Sequence, residues 1–360
     1  MAAKPRILIA PLDWGLGHAT RCVPVIEEVI RQGGDPVLAT AGRAHAYLKA
    51  ELPTLEMIEL PAYGIRYNSP NMYWNMARQG PKIIRASWRE HRQLQRIIRQ
   101  RKADAVISDN RFGCFSSLVP CVFISHQLSI HVSFSPLQGL ANRLNHWFIR
   151  QYDECWIPDW PGAESLAGEL HGPPSGGPSC RYIGLLSRLR PEAAKKEYDI
   201  LALLSGPEPQ RSHLEAMLLR QLEELPYRVL LVQGKTERLE RRRPAPHIEA
   251  VSYLKAEELQ SALACSALVI CRSGYSTLMD LAAMGKRALL IPTPGQTEQE
   301  YLAERMRALG YCPFQRQESI QLERGIREAL EYSGFPEERE KGVGLAAAVG
   351  SLMVHIARGD

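Results

Sequence analysis

The chain has 360 residues, of which 45% are hydrophobic and 23% charged, and its formal net charge at neutral pH is +5. This composition is typical of a globular protein, and the length predicts two domains of ordinary size. No apolar run approaches the about 18 residues of a membrane-spanning helix. Eight scattered cysteines without a C-x-x-C pair, and no signal segment before the first strand, favour a reducing cytoplasm and disfavour disulfides or a metal site.

The chain opens as strand, glycine loop and helix. An apolar strand is predicted over Arg6–Pro11, and Gly15 and Gly17 would let the backbone approach a ligand at the head of the following helix. The dinucleotide fingerprint is incomplete, because Thr20 occupies its third glycine position, and this disfavours a nicotinamide or flavin site. His18 lies on the same loop. Its imidazole could act as a general base near neutral pH, or it could simply cap or pack against the loop.

A basic stripe follows in the segment Arg78–Lys102. Its basic residues are spaced alternately by four and three positions, which places them on one face of a helix: Arg78, Lys82, Arg85, Arg89, Arg92, Arg96 and Arg99. Two interpretations stay open. The stripe could be a solvated face whose arginine stems cover the core, or it could be attracted to an anionic membrane or a phosphate-bearing lipid. Nucleic acid is not expected, because no aromatic-interleaved binding motif accompanies the stripe.

Two further predicted strands, 103–108 and 121–125, end in polar residues: Asp109, Asn110 and Arg111 after the first, His126 and Gln127 after the second. In a parallel sheet these residues open on the same edge as the loop of His18. Asp109 could then orient His18, and Arg111 could contact an anionic acceptor. His126 is a candidate for either role, or for neither.

The predicted division is a first domain over 1–186, a linker over 187–197, a second domain over 198–335 and a C-terminal segment over 336–360 that carries a helix. The second domain restarts with a strand. The loop after that strand offers Ser205, Gly206 and Arg211 as candidate contacts for a diphosphate.

The most informative stretch is Ser266–Arg305, which is predicted to form strand, helix, strand and helix. Polar residues concentrate after the two strands: Arg272, Ser273 and Gly274 after the first, and Gln296, Thr297, Glu298, Gln299 and Glu300 after the second. Helix N-termini at such an edge offer unpaired N–H groups to an anion, and Asp280 could accept a hydrogen bond from a sugar hydroxyl. The alternative is an ordinary strand–helix–strand unit with a polar rim.

This stretch resembles the nucleotide-sugar-binding signature of GT-B glycosyltransferases. The shared pattern comprises Cys-Arg-Ser-Gly at 271–274, an acidic residue in the next helix, an Ala-Ala-x-Gly helix end, an apolar strand ending in Pro292 and a Gln-rich turn closing on Tyr301. Among these enzymes it is most similar to glycosyltransferase family 28, whose bacterial members add N-acetylglucosamine to lipid I.

The resemblance implies a GT-B fold, with two Rossmann-like α/β domains whose parallel sheets face each other across a cleft and a C-terminal helix that returns to the first domain. It also implies an inverting, metal-independent transferase without a cofactor, which uses a nucleotide sugar, most simply a UDP-sugar, as co-substrate. The glycine loop with Gly15 and Gly17 would face the donor diphosphate and His18 would be the base. Arg272, Ser273 and Gly274 would lie near the leaving diphosphate.

For the donor, the resemblance implies that Asp280 holds the ribose and that Tyr253 and Leu254 lie near the uracil. Gln299 and Glu300 would read the sugar. The family has two glutamines at these last positions, so Glu300 departs from the pattern. A hexose or an N-acetylhexosamine is therefore the expected donor sugar.

For the acceptor, the resemblance places His126 and Gln127 in a polar cluster of the first domain. It implies a hydroxyl acceptor of lipid-linked or envelope-glycan type, and a peripheral position on the inner face of the plasma membrane. The loop Trp14–His18 departs from the family's Gly-Thr-Gly-Gly-His. Two alternatives stay open: a nucleotide-sugar 2-epimerase of the same fold, whose chemistry needs several carboxylates, and a non-catalytic nucleotide-sugar-binding subunit.

Overall fold

The computed structural model describes residues 4–64, 72–130, 135–172, 176–235, 239–336 and 342–358. The chain forms two compact units, which meet in sequence at Arg188 and Leu189, inside the predicted linker. Apart from Met72, the described residues before this point form the first unit together with the C-terminal helix, and the described residues from Leu189 to residue 336 belong to the second. No helix among the described residues is long and apolar enough to cross a membrane.

The first unit is built on a seven-stranded sheet in which all neighbouring strands are parallel, in the order β3-β2-β1-β4-β5-β6-β7. Its elements are β1 Arg6–Pro11, α1 Gly17–Arg31, β2 Asp35–Thr40, α2 Gly42–Glu51, β3 Glu56–Glu59, α3 Met72–Arg101, β4 Ala105–Asp109, β5 Cys121–Ile124, α4 Ser135–Ile149, β6 Glu154–Ile157 and β7 Ser179–Tyr182.

The strand order of this sheet reverses between β1 and β4, which are neighbours in the sheet but not in sequence. Both strands are apolar and buried on both faces, as parallel strands covered by helices must be. Ligands of doubly wound sheets bind beyond the carboxyl ends of the strands at such a reversal. The loop after β1 carries His18, and β4 ends at Asp109, so the topology brings these two residues to one point.

The second unit is built on a six-stranded sheet with the order β10-β11-β9-β8-β12-β13, in which every pair is parallel except β10 with β11. Its elements are β8 Tyr198–Leu203, α5 Gln210–Leu222, β9 Val229–Val232, β10 Arg241–Ala245, β11 Ile248–Val251, α6 Ala256–Cys265, β12 Ser266–Cys271, α7 Tyr275–Ala283, β13 Ala288–Leu290, α8 Thr297–Ala308 and α9 Leu322–Glu331. Its strand order reverses between β8 and β12.

The C-terminal helix α10, Val343–Arg358, belongs to the first unit, as predicted. Gln32, directly after α1, donates from Nε2 to the carbonyl of Ala346 at 2.8 Å. Gly344 lies so close to the backbone of Ile183 that a Cβ atom would be 2.9 Å from its carbonyl carbon. A larger residue at this position would push the helix away from the sheet.

Three local features differ from what the sequence predicts. The apolar run 182–186 predicts a strand, but the strand lies earlier, at β7, because Gly184 adopts a φ of +75° that ends the extended conformation. Thr297 followed three residues later by Glu300 predicts a capping box, but helix α8 is capped by Gln296 without a side-chain cap bond. The short edge strands β3 and β10 were not predicted, since neither carries a strong apolar alternation.

Candidate active site

His18 and Asp109 meet at the strand reversal of the first unit. His18 is the second residue of α1, and its Nδ1 lies 3.2 Å from Oδ1 of Asp109, the last residue of β4. Asp109 is fully buried, whereas the His18 side chain keeps 17% of its surface exposed. The predicted contact between these two residues is therefore present. An imidazole oriented by a buried carboxylate and open to solvent on one side is the arrangement of a general base.

Arg21, which the sequence analysis did not identify, lies at the centre of this site. It follows His18 by three positions on α1, and its guanidinium holds the Asp109 carboxylate through both oxygens, with Nε 2.7 Å from Oδ2. Its Nη2 also lies 2.9 Å from Nδ1 of His18, and its Nη1 lies 3.3 Å from Nδ1 of His126. The only sequence signal was the spacing of three residues on a helix, which places two side chains on one face.

The electrostatics of Asp109 follow from this environment. Burial alone would raise the pKa of its carboxyl, but the charge of Arg21 and the hydrogen bonds from Arg21 and His18 lower the pKa well below the ordinary value. Cys22, whose Sγ lies 3.5 Å from Oδ2 of Asp109, has its pKa raised by burial and by this carboxylate. Asp109 is therefore an anion and Cys22 a neutral thiol at physiological pH.

The other predicted residues of this edge differ in whether they reach the contact between His18 and Asp109. Gly15 is exposed with a φ of +82°, and Gly17 begins α1, so both lie in the predicted loop. His126 is buried beside Arg21, as its contact above requires. Gln127 is half-buried, and its backbone N–H donates to Oγ of Ser125. Only His18, Asp109 and His126 are thus brought together.

Arg111 is fully buried, and the prediction that it contacts an acceptor is wrong. Its Nε donates to Glu90 on α3, which is also fully buried. Its Nη2 donates to the carbonyl of Pro61 at 2.8 Å, and its Nη1 lies 3.5 Å from Asp13. A guanidinium engaged on all sides inside the core has no surface left for a substrate. Arg111 instead ties the loops after β1 and β3 to α3.

Helix α3 contains the predicted basic stripe. All its described basic side chains are exposed: Lys82, Arg85, Arg89, Arg92, Arg96 and Arg99. The side chain of Arg78 lies outside the described residues. Leu94, Ile97 and Ile98 pack into the core on the opposite side. Trp88, which lies off the stripe, is 53% exposed, so the outer surface of the helix is both basic and aromatic.

The second candidate site lies at the carboxyl edge of the other sheet, around the reversal between β8 and β12. Ser205 and Gly206 follow β8 and are exposed, and Gly206 has a φ of +105°. Gly274 is the N-cap of α7 and Gln296 is the N-cap of α8, so two helix N-termini open on this edge. Such an edge can bind an anion through backbone N–H groups.

Arg272 and Ser273 lie beneath this edge and support it. Arg272 is buried and donates to the carbonyls of Ile291, Pro292 and Gln210 at 3.0–3.1 Å, and to Oε1 of Gln317 at 2.7 Å. Burial lowers the pKa of its guanidinium to about 10. Ser273 is buried as well. The prediction that these two side chains face a diphosphate is corrected, because both Nη atoms of Arg272 and the hydroxyl of Ser273 join β12 to α5, α8 and the segment after β13. Nε of Arg272 is buried without a hydrogen-bond partner among the described residues.

Two further predicted donor contacts are internal. Arg211 is buried in ion pairs with Glu208 and with Glu215, the latter at 2.9 Å, and it donates to the carbonyl of Gln233. Gln299 is buried, its Oε1 accepts from the backbone of Thr293 at 2.9 Å, and its carbonyl accepts from Ser273. Both predictions of direct ligand contact are corrected for the same reason: these side chains hold loops in place.

The remaining predicted residues are accessible. Asp280, Thr297, Glu298 and Glu300 are half-buried on α7 and α8. Glu300 accepts from the backbone N–H of Gly295 at 3.0 Å, which shapes the turn before α8. Tyr253 and Leu254, after β11, are also half-buried. Within the described ranges, no group of three or more His, Cys, Asp or Glu residues is arranged to hold a metal ion.

Comparison with known proteins identifies the kind of enzyme. Residues 214–351 match the glycosyltransferase family 28 C-terminal domain. The chain is 25% identical over 303 residues to the UDP-N-acetylglucosamine--N-acetylmuramyl-(pentapeptide) pyrophosphoryl-undecaprenol N-acetylglucosamine transferase of Exiguobacterium sp., covering 79% of this chain and 78% of that protein. The chain is a glycosyltransferase. The family match lies mostly in its second unit and extends into α10, and the transferase as a whole resembles these bacterial enzymes.

Solved structures confirm the GT-B fold of this glycosyltransferase. MurG of Acinetobacter baumannii superimposes with a TM-score of 0.55 at 15% identity, covering 98% of this chain and all of that chain. The calicheamicin glycosyltransferase CalG4 superimposes with a TM-score of 0.64 at 14% identity, covering 99% and 97%. The resemblance to GT-B glycosyltransferases that the sequence indicated is therefore confirmed.

Proposed function

We propose that this glycosyltransferase moves a hexose or N-acetylhexosamine from a UDP-sugar to a hydroxyl group of a lipid-linked or envelope-glycan acceptor. The observation that carries the proposal is the contact of His18 with the buried Asp109 at the strand reversal of the first unit. The family 28 domain supports a nucleotide-sugar donor. The names of the sequence relatives, which are N-acetylglucosamine transferases acting on a pyrophosphoryl-undecaprenol substrate, support the UDP-linked donor and the lipid-linked acceptor.

In the proposed reaction, His18 accepts the proton of the acceptor hydroxyl. The acceptor oxygen bonds to the anomeric carbon while the bond from that carbon to the diphosphate oxygen breaks, which inverts the configuration and releases UDP. His18 then returns its proton to solvent. The developing charge on UDP would be stabilised by backbone N–H groups at the N-termini of α7 and α8, without a metal ion. Such preorganised hydrogen-bond donors can lower the activation free energy by several kcal/mol, which is roughly a hundredfold or more in rate.

Because several of the predicted donor contacts have buried side chains, fewer residues remain as candidate contacts for the donor. Asp280 remains the candidate for the ribose hydroxyls, and Tyr253 and Leu254 remain candidates for the uracil. Glu300 is the candidate for sugar recognition. Because a carboxylate accepts hydrogen bonds and cannot donate them when ionised, it would favour a sugar that presents hydroxyl or amide donors at this position.

The same enzyme is proposed to contact an anionic membrane surface through α3. Six described basic side chains of the stripe and Trp88 are exposed on this helix. Each basic residue near an anionic membrane surface contributes about 1 kcal/mol to the free energy of binding, and tryptophan side chains favour the level of the lipid headgroups. This position would suit an enzyme with a lipid-linked acceptor, which diffuses within the membrane.

Donor binding is tested by thermal unfolding in the presence of UDP, GDP, dTDP and their common sugars. A ligand at roughly 100 times its Kd stabilises the protein by about 2.7 kcal/mol, so one nucleotide should raise the Tm clearly. Asp280→Ala should weaken that rise. Glu304→Ala, which removes an exposed carboxylate farther along α8, is the matched control and should leave it unchanged. No rise with any nucleotide would refute the donor site.

Transfer is tested with the stabilising donor and a lipid diphosphate acceptor, for wild type and His18→Ala. Wild type should produce glycosylated acceptor with inverted configuration, and His18→Ala should lose at least a hundredfold in kcat, the usual contribution of a general base. Release of an epimerised sugar without acceptor would instead identify an epimerase. Full activity of His18→Ala would refute the base, and donor binding without any turnover would indicate a binding subunit.

A further inference from the structure

Arg21 contacts His18, Asp109 and His126, and this position indicates a role in the chemistry of the site beyond packing. Its guanidinium is buried and donates twice to Asp109, while its two terminal nitrogens lie beside the imidazoles of His18 and His126. The charged and titratable groups that the described contacts of this cluster include are Arg21 on α1, Asp109 at the end of β4 and, behind Arg21, His126 after β5. Cys22 touches only the far oxygen of Asp109.

Arg21 and Asp109 compete for a hydrogen bond with Nδ1 of His18. Nδ1 lies 2.9 Å from Nη2 of Arg21, which can only donate, and 3.2 Å from Oδ1 of Asp109, which as an anion can only accept. A proton on Nδ1 satisfies Asp109 and opposes Arg21, and a lone pair on Nδ1 does the reverse. A doubly protonated, cationic imidazole would gain the carboxylate but would face the guanidinium at close range.

We propose that Arg21 is a positioning residue that fixes the Asp109 carboxylate and, by neutralising its charge, keeps the His18 imidazole uncharged and able to accept a proton. Without Arg21, a buried carboxylate beside His18 would bind a proton jointly with the imidazole, forming either an imidazolium–carboxylate pair or a protonated acid. In either state His18 is no longer a free base until the pH rises. The inference rests on the proposed function, since it assigns how the base of that reaction is kept ready.

The test combines a spectroscopic and a kinetic measurement on the full chain. The protonation of His18 is followed by NMR of imidazole 15N nuclei, with His18→Gln used to assign the signal, in wild type and in Arg21→Gln. Removal of the guanidinium should raise the apparent pKa of the His18–Asp109 pair by about one unit or more. The acidic limb of the kcat/KM pH profile should move upward by the same amount.

Three further variants separate electrostatics from folding. Arg31→Gln removes one charge from the same helix at an exposed pair with Glu28, and should move neither measurement. Arg21→Lys retains the charge but loses the two-pronged contact, so it should largely retain the pKa and lower kcat. Arg21→Gln combined with Asp109→Asn removes both charges, and should restore the wild-type pKa of His18 if the two groups offset each other.

The outcomes distinguish this inference from the proposed function. An unchanged His18 pKa in a folded Arg21→Gln protein would overturn the role of Arg21. A shift equal to that of Arg31→Gln would overturn it as well. A raised pKa in a chain that transfers no sugar to any acceptor would refute the proposed function, while the positioning of His18 by Arg21 would stand on the NMR result.

Discussion

The buried pair of Glu90 and Arg111 provides a sharp test of how the first unit is held together. Both side chains are fully buried. Glu90 accepts from Arg111, from the hydroxyl of Tyr63 at 2.8 Å and from the backbone of Gly113 at 3.0 Å. Because Arg111 also binds the carbonyls of Pro61 and Pro11, one pair connects α3 with three loops.

Replacing Arg111 with Met leaves the Glu90 charge buried without a counter-charge, which typically costs about 3–5 kcal/mol. Glu90→Gln keeps an acceptor for Tyr63 and Gly113 but leaves the buried guanidinium of Arg111 without a counter-charge. We therefore expect a similar loss in the free energy of unfolding. The double variant Glu90→Gln/Arg111→Met contains neither charge. It should therefore cost less than the sum of the single changes, with a coupling energy of about 2–3 kcal/mol.

The assay is urea unfolding followed by tryptophan fluorescence. All six tryptophans lie between positions 14 and 160, so their emission reports on the first unit alone and avoids the mixed transition of a two-unit chain. Arg181→Met is the matched control, because Arg181 pairs with Glu154 at 2.7 Å but is 38% exposed, and it should cost at most about 1 kcal/mol. The reasoning would be refuted if Arg111→Met lowered the free energy of unfolding by less than about 1 kcal/mol, or if the effects of the two single changes were strictly additive in the double variant.

Two further predictions concern pH and membranes. The pKa of Asp109 is lower in the folded chain than its value of about 4 when unfolded, so its ionisation stabilises the first unit above about pH 4, and this contribution is lost as the pH falls toward the folded pKa. Unfolding midpoints by tryptophan fluorescence should therefore fall more steeply with acid in wild type than in Asp109→Asn, and parallel slopes would contradict this. For membranes, Arg85→Gln/Arg89→Gln/Arg92→Gln should lower co-sedimentation with phosphatidylglycerol vesicles by roughly a hundredfold in partition, from about 1 kcal/mol per charge. The control Arg287→Gln/Arg316→Gln/Arg324→Gln removes three exposed charges from the second unit and should bind as wild type does; equal losses in both would refute a specific role of α3.

Much of the fold could be predicted because its strands are apolar runs that end at polar residues. The strand predicted over Arg6–Pro11 has those bounds in the structure. The apolar run 267–271 likewise predicts a strand, and β12 begins one residue earlier. The edge strands β3 and β10 were missed because an edge strand need not be apolar. β10 contains three consecutive arginines, which protect an exposed edge against pairing with another chain.

The candidate site was only partly predictable, and the arginines show why. Sequence position correctly brought His18 and Asp109 to one sheet edge, since the carboxyl ends of parallel strands share that edge. It could not tell whether an arginine at such an edge points outward or inward. Arg111, Arg211 and Arg272 were interpreted as ligand contacts, yet each is buried. Arg211 forms ion pairs with its sequence neighbours Glu208 and Glu215, whereas Arg111 and Arg272 bind groups distant in sequence. The partners, such as Glu90 for Arg111, become neighbours only through tertiary packing.

Inward-pointing arginines have a physical reason at these edges. Loops that leave parallel strands carry carbonyl groups without a sheet or helix partner, and an unpaired buried carbonyl costs free energy. A guanidinium presents five donors in a planar fork, so one side chain can bind several loop carbonyls at once, as Arg272 does with those of Ile291, Pro292 and Gln210. The loops are thereby fixed at the edge where α7 and α8 begin. In the second unit, the support of the diphosphate would then come from backbone groups at the starts of α7 and α8, which cannot be exchanged by substitution. We therefore expect Arg272→Lys to weaken nucleotide binding through loop disorder, and Asp280→Ala to weaken it through direct contact.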